Sequence, residues 1–136
     1  MTDEHIALSP AQVLQVRRHS AEALELESIW QPGEPPPRHW HPHQREEFEV
    51  LEGELTVELG RAEPRILGAG QKVTISPRTP HRMWNAGPGQ ARASWRITPP
   101  QRTLEQFRFM AQGTALPRAV RMLWAFRHEF RIGPAL

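Results

Sequence analysis

"RHWHPHQREEFEVLEG", residues 38–53, places three of the chain's seven histidines within five positions and follows them with a pair of glutamates. In an extended chain successive side chains alternate between faces, so His39 and His41 share a face and need only modest rotamer adjustment to meet at one point. Glu46 has the opposite parity. The intervening "PHQR" (42–45) begins with proline and can form a turn or bulge, after which Glu46, Phe48 and Val50 share one face. That face is apolar, so Glu46 is expected at the mouth of an interior, with Glu47 and Glu49 outside. A buried carboxylate needs a partner, and a metal ion would be one. A polar strand edge lying in water is the alternative reading of the same residues.

Working outward, the same period of two continues through "EFEVLEGELTVELG" (47–60), with Phe48 and Val50, then Leu55, Val57 and Leu59, on one side and Glu52-Gly53 between them. That pattern is a hairpin. "ALELESIW" (23–30), "KVTIS" (72–76) and "ARASWRIT" (91–98) read as further strands. "QPGEPPP", "SPRTPH" and "NAGPGQ" supply the turns. Short strands punctuated by Gly and Pro predict an all-β antiparallel sandwich or barrel, with N-terminal strands, over residues 1–100. From Thr103 the period becomes helical. Leu116, Ala119, Met122, Leu123, Phe126 and Phe130 fall on one stripe, with Arg118, Arg121 and His128 opposite. Pro117 suits a first helical turn, and "IGP" (132–134) is a stop signal. Residues 101–136 are therefore expected to form a helical extension whose stripe is covered by the barrel or by a partner subunit rather than by lipid.

Composition bounds the class. A chain of 136 residues with 38% hydrophobic and 24% charged residues fits one compact domain, and no apolar run approaches the length of a membrane span. "MTDEHIALSP" lacks the basic and apolar regions of a signal peptide, so a cytoplasmic setting is expected. The sequence pI of about 10.3 reflects the absence of Tyr and Cys and the presence of a single lysine, Lys72, at a formal charge of only +2. The arginines are scattered among fifteen acids with no basic stripe, so nucleic acid is not an expected partner.

A fourth histidine, His81 in "TPHRMWN" (79–85), is placed on a strand by the turn residues before it. Three imidazoles and one carboxylate suit a divalent transition metal, iron, manganese, nickel, cobalt or zinc, and leave two of six octahedral positions open. With these residues in hand, the chain resembles a cupin. The first cupin motif, Gly-x5-His-x-His-x4-Glu-x6-Gly, is matched at every position by Gly33, His39, His41, Glu46 and Gly53. The second, Gly-x5-Pro-x-Gly-x2-His-x3-Asn, is met by Gly70, His81 and Asn85, while Ser76 and Arg78 stand at its Pro and Gly positions. A left-handed backbone at Arg78 would cost about 1 kcal/mol or more, so a reshaped loop is expected there.

The resemblance covers roughly residues 20–98. It implies a jelly-roll β-barrel with His39, His41, Glu46 and His81 as the metal ligands, a small-molecule ligand or substrate, and a homodimer. His43 matches no ligand position and reads as a solvated loop residue. Trp40 and Trp84, opposite in parity to the ligands, read as packing outward against a second subunit or as stacking on a substrate, and Arg82 and Arg96 as neutralising the glutamates of the neighbouring hairpin rather than pairing with an anionic substrate. Asp3 is the only aspartate and tyrosine is absent, so a sugar-epimerase mechanism of the cupin-like type, a Cys-Tyr thiol dioxygenase and a serine hydrolase cannot be assembled. What remains is metal chemistry on a small organic substrate, oxygenase-like or lyase/isomerase-like, or else a non-catalytic binding or sensor barrel with a structural metal or none. Since all four candidates lie upstream, the tail is expected to be dispensable for metal binding.

Overall fold

The computed structural model describes residues 4–113 and 115–133; Asp3 and Pro134 lie outside them. In chain order the elements are β1 (His5–Ser9), β2 (Gln12–His19), β3 (Leu24–Trp30), β4 (His39–Trp40), β5 (Arg45–Glu52), β6 (Glu54–Leu59), β7 (Arg65–Gly68), β8 (Lys72–Ile75), β9 (His81–Trp84), β10 (Ala91–Thr98), α1 (Thr103–Ala111), α2 (Leu116–Ala125) and β11 (Arg131–Ile132). One sheet runs β1-β2-β3-β10-β5-β8 and the other β11-β4-β9-β6-β7. All their pairings are antiparallel. From β3 to β10 the chain passes back and forth between the sheets, which is the jelly-roll arrangement expected from the strand pattern.

The alternation that predicted the strands is the alternation of burial. Leu24, Leu26, Ser28 and Trp30 are buried along β3, while Glu25, Glu27 and Ile29 between them are half-buried. Phe48 and Val50 of one sheet meet Leu55, Val57, Leu67 and Met83 of the other in a single apolar cluster. The hairpin turns at Gly53, whose φ of +74° is a conformation only glycine adopts without strain. A Cβ there would also lie 2.4 Å from the Gln90 carbonyl oxygen.

A second cluster joins Ile6, Leu14, Val16, Leu24, Leu26 and Ile97 to Leu104 and Phe107 of α1, so the N-terminal strands and the first helix share a core with β3 and β10. The tail departs from the single stripe expected of it. The helical run breaks at Gly113 (φ +124°), and α2 buries Met122 while leaving Leu116 77%, Val120 58% and Trp124 69% exposed. At Phe126, itself buried, the backbone leaves the helix (φ −112°, ψ 29°). Phe130 therefore lies outside the helix, in a segment that returns to the sheet as β11. No described helix is long and apolar enough to cross a membrane.

Candidate metal centre

β4 places His39 directly opposite His81 of β9, and Glu46 lies in β5 between Ile75 of β8 and Ile97 of β10. The bend at Pro42-His43 separates His41 from β5 and resets the parity, so all four candidate side chains converge. One potential ligand atom from each lies within 4.8 Å of every other. His41 Nε2 is 3.0 Å and His81 Nε2 2.9 Å from the same oxygen, Glu46 Oε1. A metal–nitrogen distance of about 2.1 Å puts adjacent octahedral ligands about 3.0 Å apart and opposite ones about 4.2 Å apart. The cluster has the dimensions of a set of ligands sharing one cation.

The opposite edges of these groups are fixed by hydrogen bonds. His41 Nδ1 lies 2.6 Å from the Glu129 carbonyl oxygen and His81 Nδ1 2.7 Å from that of Thr79. A carbonyl only accepts, so both Nδ1 atoms carry protons and Nε2 is the atom of each ring that faces the carboxylate. His41 Nε2 and Glu46 Oε1 are accordingly buried without a hydrogen-bond partner. Glu46 Oε2 accepts from the Trp95 indole N–H at 2.8 Å, leaving Oε1 alone to face the histidines. The loop between the ligands is tied down by buried Gln44, whose amide donates to the carbonyls of Pro99 and Pro100 and to Thr103 Oγ1 at the entrance to α1.

These surroundings set the charges. Burial alone would raise the Glu46 carboxyl, but His41 and His81 outweigh it and hold the group well below the usual carboxylate range. Burial also opposes a charged His41, yet Glu46 and the Glu129 carbonyl leave its pKa raised. His39 is pushed down to about 3, first by burial and then by the neighbouring His81 and His41. Without a metal, then, the Glu46 carboxylate favours a proton on His41.

The residues that match in sequence also match a known family. The model of the cupin domain fits residues 26–96, more than half of the chain. The protein belongs to the cupins. A protein of Arthrobotrys oligospora named as an oxidoreductase is 40% identical over 78 residues, 57% of this chain and 28% of that protein, so the chain spans under a third of that relative's length. An RmlC-like cupin from Shewanella frigidimarina superposes with a TM-score of 0.67 at 17% identity, over 75% of this chain and 88% of that one. An oxalate oxidase superposes with a TM-score of 0.51 at 24% identity, over 57% of this chain and 42% of that one.

The remaining cupin positions have structural work. Asn85 donates to the carbonyls of Trp30 and Gly89 and accepts from the Gly87 N–H, fixing the turn before β10. Arg78 holds the left-handed backbone of the family glycine (φ +66°). The expected reshaping of the loop does not occur at this residue. Its N–H donates to the His41 carbonyl at 2.8 Å, and its guanidinium lies 5.3 Å from the centre of the Trp40 ring. Trp40 does not pack outward as expected: it is 2% exposed, with Arg131 on it as well as Arg78. His43 is exposed, and Trp84 is half-buried beneath Arg82. Arg82 pairs with Glu58 of the hairpin, whereas Arg96 pairs with Glu25 of β3.

The tail belongs to the site. Besides the Glu129 carbonyl on His41, the Phe130 ring stacks on His39 with centroids 4.8 Å apart and planes at 27°, and β11 pairs with β4 through Arg131–Trp40 and Ile132–His39. Residues 129–132 thus touch two of the four candidate ligands, contacts that the expectation of a tail dispensable for metal binding did not include. Two surface grooves, of about 530 Å³ beside Arg17, His19 and Arg108 and about 340 Å³ over Glu47, Lys72 and Arg96, are lined by none of the four.

Proposed function

We propose that this cupin holds one divalent transition metal, iron or manganese first, through His39, His41, Glu46 and His81, and turns over a small organic substrate there by oxygenase-like or lyase/isomerase-like chemistry. The observation that carries the reading is the convergence of donor atoms. Two imidazoles whose Nδ1 protons are committed to backbone carbonyls aim Nε2 at one buried carboxylate oxygen 2.9–3.0 Å away, an arrangement that a bound cation would satisfy. A bound metal would supply Lewis-acid or redox chemistry at the positions these four leave open.

The chain's own residues have defined tasks around it. Thr79 and Glu129 hold the histidine tautomers, Trp95 keeps Glu46 to one donor oxygen, and the barrel core of Phe48, Val50 and Val57 excludes water from below. The name of the Arthrobotrys relative favours the redox branch. A second reading, a binding or sensor barrel with a structural metal, is favoured by the Phe130 ring lying over His39. A cytoplasmic setting and a homodimer complete the proposal, and sedimentation equilibrium checks the latter.

The test is metal analysis of protein purified without nickel affinity. About one metal per chain is expected. His41→Ala should strip most of it and His43→Ala none, while equal loss from both would refute the ligand assignment. Loading the chelated protein should also release protons, because metal displaces the proton that Glu46 favours on His41.

A further inference from the structure

Beneath the four ligand atoms the barrel is filled. Ile75 faces Glu46 across the β5–β8 pair, Met83 lies two residues along β9 from His81, and both belong to the central apolar cluster. A ligand for the metal has no way in from that side. On the other side lies the strap of residues 126–132, and its Phe130 ring is stacked on His39 and 6.1 Å from His41, centroid to centroid. Phe130 is half-buried, so it forms the boundary between the imidazoles and water.

The strap is lightly fastened. β11 contributes two residue pairs to β4, the buried Glu129 lends its carbonyl to His41 and accepts the Arg102 N–H at 3.3 Å, the Phe130 N–H donates to the Phe126 carbonyl at 2.9 Å, and Arg131 reaches back over Trp40 at 5.4 Å. A segment held by so short a ladder belongs to the parts of a fold that open well before the core does. Its anchor is firmer, since Phe126 is 4% exposed and lies under the Arg102 guanidinium at 4.7 Å. The segment can thus swing from a fixed end.

We infer that Phe130 is the specificity-determining residue of the metal centre: exogenous ligands reach the open coordination positions only when the strap carries this ring off His39, so the ring selects against bulk. The inference rests on the metal reading above. A state open in roughly 1–10% of molecules lowers apparent ligand affinity by the same factor. Removing the ring should therefore tighten a small ligand about tenfold or more, and a bulkier one further.

The test uses the full chain loaded with cobalt(II), with azide and then benzoate binding followed by visible absorption. In the native protein the azide rate should level off at high azide, where strap opening becomes limiting. Phe130→Ala should remove the plateau and tighten both ligands, benzoate more than azide, with Phe130→Leu between them. Cobalt content should stay near one per chain in every form, because Phe130 offers no ligand atom. Equal azide and benzoate affinities in native and variant proteins that hold cobalt would overturn the inference and leave the metal reading intact. A native chain that takes up no cobalt would fail at the metal analysis, before azide is added, and would remove both. Should Phe130→Ala lose cobalt through poor folding, hydrogen exchange in the native cobalt protein decides. Azide saturation should speed exchange across 126–132, and unchanged protection there overturns the gate.

Discussion

Replacing Trp95 with phenylalanine separates the carboxylate's partner from the packing around it. The indole N–H donates to Glu46 Oε2 at 2.8 Å, and Glu46 is 1% exposed, so no solvent is at hand to replace the donor. A hydrogen bond to a charged group contributes about 1.5–3 kcal/mol. Phenylalanine keeps an aromatic ring against Phe48, now stacked at 5.0 Å, and against Phe107 at 5.3 Å. The smaller ring adds a void worth about 1 kcal/mol. Metal-free Trp95→Phe should accordingly be less stable by about 2.5–4 kcal/mol in urea unfolding. Zinc affinity, measured by competition with a chromophoric chelator, should fall about 10–100-fold, because Glu46 is no longer held to a single donor oxygen. Trp84→Phe is the control: that ring is half-buried under Arg82 and its loss should leave zinc affinity unchanged. Unaltered zinc affinity in Trp95→Phe, or equal weakening in the two variants, would show that the indole serves packing alone.

Deleting residues 126–136 should weaken zinc binding by about 10–100-fold, since it removes the carbonyl that orients His41; a truncated chain with native zinc affinity would refute this. Arg78→Gly should be more stable than Arg78→Ala by about 1 kcal/mol, because alanine keeps the left-handed strain at φ +66° that glycine removes, and the reverse order in chemical denaturation would contradict it. The metal-free protein should lose stability as pH falls from 6 to 4.5. His39, with a folded pKa of about 3 against the ordinary 6.5, contributes fully above the unfolded value and progressively less as pH falls toward 3, at about 1 kcal/mol per pH unit. Glu46 adds loss of the same sign only below its unfolded value of 4.5. The raised His41 acts the other way, contributing below 6.5 and losing its effect as pH rises through its folded value. A melting temperature that is flat or rising on acidification across this window would count against a neutral His39 in the folded chain.

The three ligands of the first motif were legible because their geometry is local. Alternation puts His39 and His41 on one face, a proline bend resets the register, and the apolar parity of Phe48 and Val50 draws Glu46 inward. His81 could be read as a strand residue, but its place opposite His39 depends on which strands pair. Trp95, Gln44 and Glu129 were missed for that reason. Trp95 meets Glu46 only because β10 inserts between β3 and β5, a crossover that no local period encodes. For Trp40 the parity was read correctly and the environment was not, since the arginines that cover it come from residues 78 and 131 of the same chain. Phe130 fitted the helical stripe by spacing alone, and nothing in its neighbours said that the helix would stop at Ala125.

That stop has a reason in the sheet. β4, which carries His39, has two residues, and its recorded partner pair with β9 is the single His39–His81 match. Left as an edge, so short a strand would hold its histidine loosely and expose unpaired backbone groups. β11 covers that edge with two further pairs, and the turn between Phe126 and Arg131 sets the Glu129 carbonyl on His41 and the Phe130 ring on His39. A continuous helix through Phe130 could do none of this, since helical backbone has no free donors and acceptors to offer a strand. The apolar residue at 130 is thus bound to the histidines by the same segment that finishes the sheet. Fixing the metal-bearing strand and covering the metal are one structural act in this cupin, and a substitution that loosens β11 should disturb both together.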